Sequence, residues 1–406
     1  MRERKKSKYR LLAAAIIVLA AGAVLAGVAF AAGAAKRETW AKIDTKLRAA
    51  QGFYETAREI SETFKEEEGG GFGFTSLDFD LSNRDLVIEQ GTGEDFELAY
   101  AVNYEDEFTC EVKGGALALK QNKYDKKSVL GYVIDINWVM GFFDGWETLQ
   151  NKIVLTVPAG FEFENVNIKC TSGNMNIENI KAKSAEIKCS SGDIKLSTLA
   201  VDERLYIKTT SGFINAENTS AQSIEAECSS GDIKLNKLAV GERLYVKTTS
   251  GFIKAESVSA QSIEAECSSG DVTFAETAVD EKLYAKTTSG FINIENTKAE
   301  SAEIKCSSGD LRINNLTAAR LDAGLTSGFV SISASDIKIF VIKVSSGDVS
   351  FKNMPFTSAQ TAFSVKTTSG NIRIDGNKNG SPYNSSPAGA EYKIEAALTS
   401  GNFIFK

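Results

Sequence analysis

The sequence predicts an all-β protein whose main part is a parallel β-helix, or β-solenoid, of about twelve coils of 19–20 residues. One observation is a Ser-Gly pair that returns at a nearly constant spacing, and the other is a period-two alternation of apolar residues around each pair. A fixed period near twenty residues indicates stacked coils. The glycines of the pairs are Gly173, Gly192, Gly212, Gly231, Gly251, Gly270, Gly290, Gly309, Gly328, Gly347, Gly370 and Gly401.

Three positions of each coil are apolar or small: those five and three residues before the glycine, and the one two residues after it. Because successive side chains of a strand point to opposite faces, we expect these positions to face inward. Stacking such coils every ~4.8 Å builds a core that no single coil could bury. The glycine allows a positive φ at a corner, and we expect the preceding serines to form a hydroxyl ladder there.

Successive coils alternate between SSGD and TTSGF, so the deeper repeat is 39 residues long. The cysteines of one position (Cys170, Cys189, Cys228, Cys267 and Cys306) are interpreted as small buried residues rather than redox or metal-binding groups. Of these, Cys170 and Cys189 occupy adjacent coils, at a spacing that a disulfide accepts. The aspartates after the glycine (Asp193, Asp232, Asp271, Asp310 and Asp348) are expected to accept hydrogen bonds from turn N–H groups.

The TTSGF coils place aromatic residues at two outward positions, which form the candidate binding face. These residues are Tyr206, Tyr245, Tyr284, Phe213, Phe252, Phe291 and Phe329. Rings repeated at ~9.6 Å can stack on the sugars of a wall glycan or on another envelope protein. The alternative is that each ring covers its neighbours within the sheet. The sequence predicts no catalytic residue, no cofactor and no metal site.

Residues 1–10 carry six basic side chains and one acidic one, and residues 11–35 carry no charge. A stretch of 25 apolar residues at ~1.5 Å each exceeds the ~30 Å hydrocarbon core. We therefore expect a transmembrane signal-anchor helix at 11–35, a cytoplasmic tail at 1–10 and an extracytoplasmic body, in a single-pass protein of the cell membrane. The alternative is a secreted protein, cleaved after the small residues Ala32-Gly33-Ala34.

Between this segment and the coils, the period of the apolar pattern changes. Residues 36–68 repeat apolar positions every three or four residues, which predicts a juxtamembrane amphipathic helix, packed against the solenoid or paired as a stalk. Residues 74–160 alternate with period two and predict an N-terminal β-strand cap region. Its aromatic insertion at 121–150 is either an exposed hairpin or a lid over the first coil. The solenoid repeats occupy 161–406.

Composition excludes several classes of function. The formal charge of −7, despite the basic start, leaves an acidic body that argues against nucleic acid as a partner. The absence of histidine excludes Ser-His-Asp and Cys-His catalysis and most zinc sites.

The chain also resembles a known family. The leader, the short strands, the IVLTVPAGFEF stretch at Ile153–Phe163 and the repeated CSSGDIKL units resemble the bacterial "putative adhesin" β-strand-repeat family, from about Phe74 to Lys406. This resemblance implies a β-solenoid at the cell envelope and supplies no catalytic residues.

The sequence therefore predicts a non-enzymatic, membrane-anchored β-solenoid with a structural or adhesin-like binding role at the bacterial envelope. One alternative is an envelope-stress sensor that signals through its membrane helix. A carbohydrate-active β-helix enzyme is less favoured, because no single coil carries its own cluster of acids.

Overall fold

The computed structural model describes residues 58–67, 71–102, 108–121, 128–129, 132–133 and 152–406. These residues form strands and one 3₁₀ turn at Ser358–Gln360, so the predicted all-β solenoid is confirmed. The chain divides into two units. One comprises Met1–Ser61, Ala99–Phe108 and Asn122–Lys152 and lies mostly outside the described ranges, whereas the other contains the solenoid.

The N-terminal strands are short. They are β1 (Arg58–Phe64), β2 (Ser76–Leu81), β3 (Asp85–Gln90), β4 (Phe96–Val102), β5 (Phe108–Lys113), β6 (Ala116–Gln121), β7 (Ser128–Val129), β8 (Tyr132–Val133) and β9 (Lys152–Val157). Strands β7 and β8 pair with each other in an antiparallel hairpin.

Each solenoid coil has a long strand before the glycine and a short strand after it. The long strands are β10 (Glu162–Ser172), β12 (Lys181–Ser191), β14 (Ala200–Ser211), β16 (Ser220–Ser230), β18 (Ala239–Ser250), β20 (Ser259–Ser269), β22 (Ala278–Ser289), β24 (Ser301–Ser308), β27 (Asp336–Ser346), β29 (Thr361–Ser369) and β33 (Tyr392–Ser400). The short strands are β11 (Met175–Glu178), β13 (Ile194–Ser197), β15 (Ile214–Glu217), β17 (Ile233–Asn236), β19 (Ile253–Glu256), β21 (Val272–Ala275), β23 (Ile292–Lys298), β26 (Val330–Ser333), β28 (Val349–Lys352), β30 (Ile372–Ile374) and β34 (Phe403–Phe405). Strand β25 (Leu311–Ser327) is continuous from the short strand after Gly309 to the long strand before Gly328.

Neighbouring coils pair in parallel and in register, so equivalent residues stack on one another. Ile187 lies beside Ile207, and Ile207 beside Ala226, and each of these side chains is fully buried. The predicted inward positions therefore form the continuous core that the repeat requires.

About ten turns follow one another in chain order, and the last two coils then exchange places. Strand β33 pairs with β27 on one side and with β29 on the other, so the coil of Gly401 lies between those of Gly347 and Gly370. Two short strands, β31 (Asn377–Asn379) and β32 (Tyr383–Ser385), pair antiparallel with β30 and β29. They cover the edge of the outermost coil, which would otherwise be free to pair with other chains.

A similar exchange occurs at the other end of the solenoid. Strand β2 pairs in parallel with β10 on one side and with β6 on the other. Strand β2 thus lies between β10 and β6, although chain order would place β6 next to β10.

The predicted amphipathic helix at 36–68 is wrong where the chain is described, because Arg58–Phe64 forms strand β1. Half-buried Ile60, Glu62 and Phe64 alternate there with exposed residues, and the Phe64 ring lies edge-on to Phe74 with centroids 5.7 Å apart. Strand packing thus prevails over the helical spacing of the apolar residues. The rest of that segment lies outside the described ranges.

Two further predictions fall largely on residues that are not described. Within the described ranges, no helix is long and apolar enough to cross a membrane, and the predicted anchor at 11–35 lies outside them. The aromatic insertion at 121–150 is described at Gln121 and in the β7–β8 hairpin alone, so its predicted role remains a prediction.

Candidate binding surfaces

The corner of each coil is built around its glycine. Gly212 has φ +146°, and a Cβ there would overlap the carbonyl oxygen of Gly192 in the preceding coil. Any other residue would therefore be strained by its backbone and blocked by its neighbour. This close stacking places the glycine carbonyl groups in a line along the corner.

The carbonyl oxygens of that line accept hydrogen bonds from the residues three positions before the next glycine. Cys228 Sγ donates to Gly212 O over 3.3 Å, and Thr248 Oγ1 donates to Gly231 O over 3.0 Å. Cysteine and threonine thus alternate in one polar ladder. The predicted serine ladder is wrong, because the serines before the glycines are exposed and the donors stand two positions earlier. This role of the cysteines was missed from the sequence.

Burial makes three of the cysteine thiols less acidic. All five cysteines of this ladder are free and buried, as interpreted from the sequence. Burial raises the pKa of Cys228, Cys267 and Cys306 above that of a free thiol. Since the thiolate is the reactive form, these side chains are poor nucleophiles and poor metal ligands.

The aspartates after the glycine accept a hydrogen bond from the backbone of the next coil. Asp193 Oδ1 lies 2.8 Å from the Phe213 nitrogen, and Asp271 Oδ1 lies 2.8 Å from the Phe291 nitrogen. Asp232 makes the same contact with Phe252 over 3.0 Å. The predicted turn role is therefore confirmed. In the described part of the chain, no group of three His, Cys, Asp or Glu side chains could hold a metal ion.

These contacts fix the backbone of an aromatic row at the corner, which we call the Phe row (Phe213, Phe252, Phe291 and Phe329). Phe213, Phe291 and Phe329 are 51%, 46% and 56% exposed, an unusual state for so large an apolar side chain. Phe252 is half-buried, with Lys234 Nζ 5.3 Å from its ring centroid, and Arg312 Cζ lies 5.6 Å from the ring centroid of Phe291. The Phe row thus presents apolar rings every second coil, about 9.6 Å apart.

The tyrosines form a separate column on the face of the long strands, which we call the Tyr column (Tyr206, Tyr245 and Tyr284). Each ring is half-buried and has a cation on its face. Arg204 Cζ and Lys188 Nζ lie 5.2 and 5.1 Å from the Tyr206 centroid, and Arg243 Cζ lies 5.0 Å from that of Tyr245. These are cation–π distances, so charged side chains of the protein itself lie over the tyrosine rings.

Ion pairs extend this packing between coils. Arg204 pairs with Glu225 over 2.6 Å, and Lys208 pairs with Glu227 over 2.6 Å. The Tyr206 hydroxyl also donates to Glu227 over 3.2 Å. The hydrogen bond from Lys208 lowers the pKa of Glu227, while burial and then the Glu227 charge raise the pKa of Tyr206. The seven candidate residues therefore form two surfaces, of which the Phe row is the more accessible.

Sequence comparison places this architecture in a family. The profile of the Toastrack DUF4097 family matches residues 74–273 and 241–404, which together cover most of the chain. The chain belongs to the Toastrack family. No curated protein shows significant sequence similarity to this Toastrack chain.

Several solved structures are similar to the Toastrack chain. A "putative adhesin" from Bacteroides fragilis is 17% identical with a TM-score of 0.34, covering 61% of this chain and 97% of its own. A "putative lipid binding protein" from Parabacteroides distasonis is 11% identical with a TM-score of 0.26, covering 86% and 97%. A "putative cell adhesion protein" from Clostridium sporogenes is 11% identical with a TM-score of 0.16, covering 86% and 99%. At these scores, the similarities carry no argument about function.

Proposed function

We propose that this Toastrack protein is a non-enzymatic, membrane-anchored β-solenoid of the bacterial cell envelope that uses the Phe row for adhesin-like binding. The observation that carries the proposal is the exposure of rings whose backbone is held in place. Phe213, Phe291 and Phe329 are about half exposed, and an aspartate of the preceding coil accepts the N–H of each.

Preorganisation supports this role for the Phe row. A ring whose backbone is already hydrogen-bonded loses less conformational freedom on binding than a ring on a loose loop. Phenylalanine faces stack well on the apolar faces of sugars and on apolar side chains. Because the row repeats with the coils, a polymer can contact several rings at once, which strengthens weak individual contacts. A wall glycan is therefore the first partner to test.

The absence of enzymatic activity is also a proposal, supported by the arrangement of charged groups. Glu225, Glu264 and Glu303 on the outer face pair with a cation of the preceding coil. A glycoside hydrolase instead needs two carboxyl groups flanking one bond in a groove, one of them held as an acid. Half-buried carboxylates that are paired with cations in a repeating lattice suit packing better than catalysis.

Membrane anchoring rests on the uncharged stretch at 11–35 and the basic residues before it. We expect the full chain to sediment with membranes, to remain there in high salt and to be released by detergent. A chain found in the medium and shortened at its N-terminus would instead support secretion after signal cleavage.

Retention on purified cell-wall glycan tests the binding role. The first variant replaces all four residues of the Phe row by serine, and its matched control replaces Tyr206, Tyr245 and Tyr284 by alanine. We expect the serine variant to lose at least tenfold in retention, because an aromatic contact contributes about 1 kcal/mol or more. The alanine variant should be retained like the natural protein. Equal retention of all three proteins would overturn the proposal.

A further inference from the structure

A column of charged residues four positions before the glycine changes character along the solenoid. In the middle, lysine alternates with glutamate, and Lys208 and Lys247 pair with Glu227 and Glu266 over 2.6 and 3.6 Å. Near the C-terminal end, the column contains lysines and small residues with no acid. In stacking order it reads Lys305, Gly324, Lys343, Ala397 and Lys366.

The exchange of the last two coils creates this order. Because β33 lies between β27 and β29, Ala397 stands between Lys343 and Lys366. In simple chain order the two lysines would be direct neighbours, ~4.8 Å apart and mutually repelled. The inserted alanine separates their Cα atoms by ~9.6 Å and leaves a depression between them.

A groove of about 610 Å³ lies over these small residues, and we call it the lysine groove. Its lining includes Lys305, Lys343 and Lys366, together with the hydroxyl groups of Ser345, Thr368 and Thr399. A second depression of about 370 Å³ shares Lys343, Lys366 and Ala397 and extends towards Pro382 and Asn384. The two lysines beside Ala397 therefore belong to both depressions.

Lys343 and Lys366 differ from the lysines in the middle of the column. Neither side chain forms an ion pair with any residue in the described part of the chain. The carboxylates nearest in the stack already have partners. Glu395, which also lines the smaller depression, pairs with Lys393 over 2.5 Å. Asp322 is held by Arg320 at 2.6 and 2.8 Å. Lys305 differs from the other two lysines, because Glu303 lies 2.7 Å from it.

We propose that the lysine groove binds a phosphoryl group, seated over Ala397 between the Nζ atoms of Lys343 and Lys366. Two long, flexible side chains separated by ~9.6 Å can converge on one group between them. Threonine and serine hydroxyls on the groove wall supply the additional donors that phosphate oxygens accept. Lysine binds phosphate as a point charge, whereas a carboxylate is better matched by the planar fork of arginine.

Two kinds of molecule at a bacterial envelope carry such a phosphoryl group. One is a phosphodiester-linked polymer, and the other is the headgroup of an anionic phospholipid. Both present a singly charged phosphodiester, so the geometry of the groove does not separate them. The binding itself makes and breaks no covalent bond. The site is distinct from the Phe row and requires nothing of it.

Binding of two soluble probes to the full chain in non-ionic detergent tests the site. The probes are a fluorescent glycerol-phosphate oligomer and dihexanoyl phosphatidylglycerol below its micelle concentration. The variant Lys343→Gln with Lys366→Gln should bind roughly hundredfold more weakly, because removing each ammonium group weakens binding about tenfold. Ala397→Glu should abolish binding, because it restores the acid that the middle of the column carries.

The matched control is Lys208→Gln with Lys247→Gln, which removes the same charge from the same column where acids already neutralise it. It should change affinity less than twofold, as should serine substitution of the Phe row. Tighter binding of the oligomer supports the polymer as the source, and tighter binding of the lipid supports the headgroup. The proposal is overturned if the natural protein binds neither probe, if the Lys343/Lys366 variant binds equally well, or if the control weakens binding as much. Thermal unfolding of each variant verifies that it is folded.

Discussion

The corner of each coil and the outer face of its long strand both follow the 39-residue alternation. Different kinds of contact stabilise the two regions. At the corner, side chains bond to the backbone of the neighbouring coil, as Cys228 does to Gly212 and Asp232 to Phe252. On the face, side chains bond to one another, as Arg243 does to Glu264. Backbone contacts fix the geometry of the corner, whereas exposed ion pairs contribute little to stability. Substitutions should therefore be far more costly at the corner.

The largest effect is expected at a corner glycine. Gly212→Ala should lower the free energy of unfolding by about 3 kcal/mol or more, because its Cβ would overlap the Gly192 carbonyl at a positive φ. Urea unfolding followed by circular dichroism measures the change. The control is Gly324→Ala on the face, where an added Cβ has no atom within 4 Å. Equal losses in the two variants would contradict the comparison.

A smaller loss of stability is expected when an aspartate of the corner is replaced. Asp232→Ala leaves the Phe252 N–H without its carboxylate acceptor and should cost about 1.5 kcal/mol. The exposed Asp280 provides a matched control, for which Asp280→Ala should change stability by no more than about 0.5 kcal/mol. Both are read from unfolding midpoints, and a larger loss at Asp280 would argue against the turn contact.

The polar ladder predicts which cysteine substitutions are tolerated. Cys228→Thr should change stability by less than about 0.5 kcal/mol, because threonine fills the same position in alternate coils and donates to the same kind of carbonyl. Cys228→Ala removes the donor from the Gly212 carbonyl and should cost about 1 kcal/mol. If alanine were tolerated better than threonine in thermal unfolding, the ladder would have no stabilising role.

The smallest change in stability is expected when the ion pairs on the outer face of the long strands are lost at acidic pH. The pKa of Glu227 is lowered in the folded state, chiefly by the hydrogen bond from Lys208. Its contribution is therefore present above the unfolded pKa near 4.5 and is lost as the pH falls below that value. Glu227→Gln should reduce the loss of stability between pH 5 and pH 3 by about 0.5 kcal/mol, measured at low salt. An unchanged pH profile would show that this pair contributes nothing.

The features predicted correctly from the sequence are those that recur in every coil. The period, the inward positions and the glycine corner are local patterns, and each is repeated often enough to be recognised. The exchange that places Ala397 between Lys343 and Lys366 depends on which edges pair, and chain order gives no sign of it. Strand β1 was missed because strand packing at Phe64 prevails over a helical spacing.

The outward placement of the candidate aromatic residues could also be predicted from the local pattern, whereas the contacts that cover their rings could not. The period-two alternation of the strands correctly predicted that Tyr206 and Phe213 point away from the core. It gives no information about which neighbouring side chains cover each ring. The cations on Tyr206 come from its own coil and from the preceding one, at Arg204 and Lys188. Cations also lie over Phe252 and Phe291 of the Phe row, at Lys234 and Arg312. The Phe row is still the more accessible surface, because Phe213, Phe291 and Phe329 are about half exposed.

Hydroxyl-radical footprinting of the full chain, with and without cell-wall glycan, tests the role of the Phe row most directly. Mass spectrometry of the digested protein reports the oxidation of each aromatic ring. We expect glycan to protect Phe213, Phe291 and Phe329 from oxidation and to leave the oxidation of Tyr206, Tyr245 and Tyr284 unchanged. Protection of the tyrosines, with the phenylalanines as reactive as in the free protein, would contradict it.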